Sequence, residues 1–105
     1  MKQNILTRLS FILTSNDLKR IRIEEKKNNT KVLADVHGMK VQEAKRFINN
    51  IINVIRTKIE LVIIHGYHHG DAIKDMLATR FSNYHIKDQY QDVRNMGVTH
   101  MIIEE

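Results

Sequence analysis

The 105-residue chain has no cysteine, no proline and only four glycines. Without cysteine there is no disulfide, no thiolate metal centre, no iron–sulfur cluster and no cysteine nucleophile. A cysteine-free chain also fits a reducing compartment. With glycine this scarce, each one is expected to answer a backbone requirement. Long apolar runs are missing too. The most apolar stretch near the start, Ile5–Leu13, is interrupted by Thr7, Arg8 and Ser10, and no small-residue cleavage site follows it. It is too short to span a bilayer and too polar for a secretory signal core, so no membrane partner is expected and a cytoplasmic location is.

What remains is ordinary globular composition, 42% hydrophobic and 28% charged, enough for one marginally stable domain with its own core. Charge is distributed unevenly. Residues 1–31 carry eight basic and three acidic groups, whereas residues 32–105 carry nine of each. The whole formal excess of +5 lies in the first third. A basic arm on a neutral domain is a docking pattern for a polyanion, and equally that of a solvated basic surface.

The pattern divides the chain into a basic extension, 1–31, and a domain, 32–105. In the extension, Ile5, Leu9, Ile12 and Leu13 predict an amphipathic helix over roughly 3–14. Residues 17–27 are ambiguous: Asp17 suits a helix start, yet Arg20-Ile21-Arg22-Ile23 alternates like an edge strand. Lys26-Lys27-Asn28-Asn29-Thr30 reads as a polar linker. In the domain, Val32–Val36 and Ile59–Ile64 read as buried strands. Val41, Ala44, Phe47, Ile48, Ile51, Ile52 and Ile55 mark one helix, and Ile73, Met76, Leu77 and Phe81 a second over Asp71–Ser82. Ile86–Val93 and Val98–Ile103 predict a final hairpin turning at Arg94–Gly97, with Gly97 in a left-handed conformation. The order β-α-β-α-β-β implies a two-layer α/β (α+β) sandwich, with a mixed four-stranded sheet, both helices on one face and an extra N-terminal helical segment.

Both of the first two domain strands end in His-Gly, at His37-Gly38 and His65-Gly66. Ligands of open α/β sheets gather beyond the carboxyl ends of parallel strands. Asp35 and His37, two residues apart, share a strand face, and a carboxylate beside an imidazole can orient the ring and assist acid–base work on a phosphodiester. The same pair can equally be a structural cap. The run His65-Gly66-Tyr67-His68-His69-Gly70 offers backbone N–H groups at a helix start, an anion site, with Tyr67 suited either to stacking on a base or to packing over the loop. A phosphate pocket is therefore expected around Gly70, Asp71 and Ala72. The histidine spacing matches no metal-ligand pattern; no metal site is assigned, and a divalent ion is left open as a cofactor. His85 and His100 read as ordinary strand residues.

These residues resemble the Smr (small MutS-related) domain. Its first motif, Leu-Asp-Leu-His-Gly before a Glu-Ala-rich helix, is matched by Ala34-Asp35-Val36-His37-Gly38 and Val41-Gln42-Glu43-Ala44. Its second, an apolar strand ending His-Gly-x-Gly-x-Gly, is similar to Val62–Gly70. This stretch looks most like a short bacterial branch with His-Gly-Tyr-x-x-Gly. Asn95-x-Gly97-Val98-Thr99 is also similar. Ala34, His68 and Lys40 depart from the pattern, Lys40 standing where a threonine cap is usual.

The resemblance implies a fold like the C-terminal domain of bacterial initiation factor three. It also implies nucleic-acid binding, often with endonuclease activity, with Asp35, His37 and His65 as the catalytic candidates. Gly38, Lys40, Gly66, Tyr67, His68, His69 and Gly70 are the nucleic-acid-binding candidates. RNA or DNA, and the ribosome for relatives that cleave mRNA, are the implied partners. Three functions stay open at this point: a phosphodiester-cleaving endonuclease, a non-catalytic RNA-, DNA- or ribosome-binding module, and a protein-interaction domain.

Overall fold

Alternation of apolar and polar side chains produces the strands of this protein, and apolar spacing of three and four produces its longer helices. The computed structural model describes residues 2–55, 57–66 and 71–104. In chain order they form α1 (Lys2–Ser10), α2 (Ser15–Leu18), β1 (Ile21–Lys26), β2 (Asn29–Asp35), α3 (Val41–Val54), β3 (Ile59–Ile64), α4 (Asp71–Thr79), β4 (Ile86–Gln91) and β5 (Val98–Ile103). The strands make one sheet in the order β1-β2-β3-β5-β4. β2 and β3 are parallel, and the remaining neighbours are antiparallel.

The cross-strand register decides which side chains face the helices. Ile23, Val32, Leu61 and Met101 form one row across four strands. All four are buried in a core shared with Ile5 and Leu9 of α1, Phe47, Ile48, Ile51 and Ile52 of α3, and Ile73, Met76 and Leu77 of α4. The helices therefore cover one face of a two-layer sandwich, as expected. The next row, Leu33, Val62, His100 and Tyr90, belongs to the opposite face and lies outside that core.

The sheet has five strands where four were expected. The polar run 26–30 is a hairpin turn rather than a linker: Lys26 pairs with Asn29, and Lys27-Asn28 form its tip. Polar, Asn-rich composition marks a tight turn as readily as a linker, so the sequence signal was ambiguous. The turn joins β1 to β2, and the alternation at residues 20–23 proves to begin an edge strand with Ile23 buried. α1 ends at Ser10, short of the expected residue 14. Ile5 and Leu9 are buried, while Ile12, beyond the helix end, is 44% exposed. α2 is a single turn capped by Thr14, whose hydroxyl accepts the Asp17 N–H at 3.1 Å. Lys40 contributes no side-chain cap to α3; instead the Glu43 carboxylate accepts the Lys40 N–H at 3.1 Å and places negative charge in the first turn.

Because Leu9 is fully buried, Leu9→Ala should cost about 2–5 kcal/mol of stability. Ile12→Ala should change it by less than about 0.5 kcal/mol. Urea unfolding of both variants measures this, and equal midpoints would remove α1 from the core.

Candidate active site

The parallel pairing of β2 with β3 ends with Asp35 opposite Ile64. The ladder runs one bond further, the Val36 N–H donating to the Ile64 carbonyl at 2.9 Å. Both chains then leave the sheet side by side at their His-Gly corners. Gly38 and Gly66 adopt φ of 81° and 76°, a left-handed conformation in which a side chain would be strained.

Asp35 alternates with buried Ala34 and so faces the side of the sheet away from the helices. Its Oδ1 accepts the His37 backbone N–H at 3.1 Å and lies 2.5 Å from the ring Nδ1. A carboxylate only accepts, so Nδ1 carries a proton and Nε2 is the nitrogen able to exchange one with a ligand. The His37 side chain is 69% exposed. Arg20 fixes this corner from β1's side. Its carbonyl accepts the Asp35 N–H at 2.9 Å, and its guanidinium donates to the carbonyls of Asp35 and His37 at 3.1 and 3.2 Å. Lys19, Arg20, Ile21, Arg22, Leu33, Asp35, His37 and Ile64 line a groove of about 470 Å³. An acid–base pair thus sits in a groove with three cationic side chains along one wall.

His65 occupies different ground. It is buried, with its Nδ1–H donating to the Gly66 carbonyl at 2.7 Å and its Nε2 accepting the Thr99 hydroxyl at 2.9 Å. Thr99 lies in the buried row of β5, so the ring sits on the helix side of the sheet, opposite Asp35. Burial holds its pKa below the usual 6.5, against the opposing pull of the bond to Gly66. Both ring nitrogens are committed to holding the corner, and the structure brings Asp35 and His37 together without it.

The His65 and Gly66 N–H groups both donate to the Gly97 carbonyl, at 2.9 and 3.1 Å. Gly97 does not have the left-handed conformation expected of it. It is needed for closeness: a Cβ there would lie 3.0 Å from the Gly66 Cα and 3.2 Å from the Asn95 Oδ1. Gly38 and Lys40 flank the His37 corner and are exposed. Tyr67, His68, His69 and Gly70 lie outside the described residues, as does the Gly70 side of the expected phosphate pocket; α4 begins at Asp71.

Sequence reasoning missed two features. Lys19, Arg20 and Arg22 fall in the basic extension of the sequence reading, where the edge-strand alternation at 20–23 is one of two alternatives and the one that places them at the sheet edge. His100, read as an ordinary strand residue, lies between two carboxylates, Nδ1 to Glu60 at 2.7 Å and Nε2 to Asp92 at 2.6 Å. Its ring stacks on Tyr90 with centroids 4.9 Å apart. The bond from His100, and then that from the Arg94 N–H, hold Asp92 below the usual carboxylate range. Residues 60, 92 and 100 share no local pattern, so no sequence signal announced them. Among the described residues no group of three or more histidine or acidic side chains is arranged to hold a metal ion. No described helix is long and apolar enough to cross a membrane. No family model matches the chain, and no curated protein matches it by sequence.

The buried neutral His65 makes stability pH-dependent. The unfolded chain takes up a proton near the ordinary 6.5, whereas the folded state resists until its lowered pKa is reached. Stability should be full above that range and fall as pH drops through it. Urea midpoints should decline on acidification in the wild type and less steeply in His65→Gln; parallel declines would deny His65 this role.

Proposed function

We propose that the protein is an Smr-type endonuclease that cleaves phosphodiester bonds, with RNA as the substrate to which its Asp35–His37 pair is best suited. The observation that carries this reading is the exposed acid–base pair in a groove walled by Lys19, Arg20 and Arg22. The cations attract the phosphate backbone and fix its register without reading sequence. Asp35 holds the His37 ring in one tautomer and orientation. His37 Nε2 then takes the proton of a ribose 2′-hydroxyl. The 2′-oxygen forms a bond to phosphorus as the bond to the 5′-oxygen breaks, and the leaving oxygen collects a proton from solvent. An internal 2′-nucleophile needs no activated water, which is why RNA suits a site whose described residues offer one exposed imidazole, His37. Arg20 holds the carbonyls flanking the pair and thereby limits the motion of both catalytic side chains. The buried His65 is proposed to set the corner's shape rather than to move protons. Binding to ribosome-bound mRNA in the cytoplasm is the finer form of the same proposal.

A non-catalytic module would use the same groove for binding alone, and a cleavage assay separates the two. Asp35→Asn and His37→Ala should each lower cleavage of labelled RNA by about 10²–10⁴-fold. Binding and thermal midpoint should stay near wild type, because both side chains are partly or largely exposed. If the wild type binds RNA and DNA but cleaves neither, with or without divalent ions, the binding module replaces the enzyme.

A further inference from the structure

The turn joining β4 to β5 spends its polar groups inward. Asp92 Oδ2 accepts the N–H groups of Arg94 and Asn95 at 3.0 and 2.9 Å, and Asn95 Oδ1 accepts that of Gly97 at 2.9 Å. The Gln91 side chain donates to the carbonyls of Met96 and Val98 at 2.8 and 3.1 Å. The other Asp92 oxygen is bonded to His100, which Glu60 holds from its far side. A carboxylate at each ring nitrogen holds the His100 ring from both edges, and its face stacks on Tyr90. A turn anchored through this many bonds is rigid, and its shape is set before any ligand arrives.

Outward the turn shows two apolar side chains, Val93 at 94% and Met96 at 61% exposure, with Arg94 and Asn95 between them exposed as well. Its position is beside the groove. Gly97 packs against Gly66, and a Cβ on Gly66 would sit 4.0 Å from the His37 Cβ. The same end of the sheet carries Lys19, Arg20 and Arg22.

We propose that this turn is a preformed wedge for the unpaired bases of a single-stranded nucleic acid, lying next to the phosphate held in the groove; the inference rests on the function proposed above. Two apolar side chains with a cation between them complement a chain that has flat apolar faces and an anionic backbone. A duplex hides those faces within its stack, so the wedge selects single strands.

The test is equilibrium binding of a short unstructured 2′-O-methyl RNA strand, which offers no 2′-hydroxyl for cleavage, and of the same strand in a duplex. The proteins are the full-length wild type, Val93→Ser/Met96→Ser, and Phe11→Ser as a control at another exposed apolar side chain, 82% accessible. Urea midpoints establish that all three fold alike. The double variant should bind the single strand roughly tenfold more weakly, because it no longer buries apolar side-chain surface against the bases. Its salt dependence should be unchanged because no phosphate contact is removed. The duplex affinity should not move, nor should the affinities of Phe11→Ser. Wild-type affinity for the single strand in the double variant, or an equal loss on duplex, would overturn the wedge alone. A wild type that binds neither strand nor duplex would overturn the nucleic-acid reading and the wedge with it.

Discussion

Pairing β2 with β3 in parallel, Asp35 opposite Ile64, places both His-Gly corners at one end of the sheet. A slip of one residue would turn Asp35 toward the helices and bring Ala34 out to the groove, because strand side chains alternate between faces. The register is held by the apolar rows on the helix side, Val32 beside Leu61 and Ala34 beside Ile63, all buried. Core packing and site geometry are thus two consequences of one alignment. The polarity of His65 is absorbed on the packed side, and the chemistry of Asp35 and His37 is left on the open side.

Electrostatics at this corner depends on β1. Arg20 sits where the edge strand begins, and its backbone and side chain bond to the end of β2. Arg20, which looks like part of a free arm in the sequence, is consequently fixed against the sheet, with Lys19 and Arg22 beside it along the groove. A cation fixed in this way loses less conformational freedom on meeting a phosphate than the same charge on a disordered tail.

A second set of bonds secures the other side of the corner. The Gly97 carbonyl receives two N–H groups from the end of β3, while the neighbouring turn is tied through Asp92 to His100 and Glu60. His65 on the packed face and His100 on the open face both serve as bracing, through different partners. His65 has a carbonyl and a hydroxyl for partners and is held neutral by burial. His100 has two carboxylates, one at each ring nitrogen. The partners, rather than the residue type, decide which ring nitrogens are occupied, and among the described residues of this corner the His37 Nε2 is left without one.

Several features were legible without coordinates. Period-two and period-four patterns in Val32–Ile64 and Ile73–Ile103 marked four strands and two helices in their correct order. The spacing of Asp35 and His37 placed them on one strand face. These signals are local: they arise from backbone geometry repeating every two or 3.6 residues. The fifth strand was obscured because Lys26–Thr30 has the composition of both a linker and a turn, and only pairing with β2 distinguishes them. The need for glycine at residue 97 was evident, but its reason was not. Close approach to Gly66 is a contact between segments far apart in the chain. The same holds for Thr99 beneath His65, for Glu60 and Asp92 around His100, and for Arg20 against Asp35. By itself the sequence determined the strands and helices from residue 32 onward and which face each presents. Tertiary structure decided which histidines are buried, which are clamped and which is exposed, because those outcomes depend on partners brought together by sheet pairing and not on neighbours along the chain.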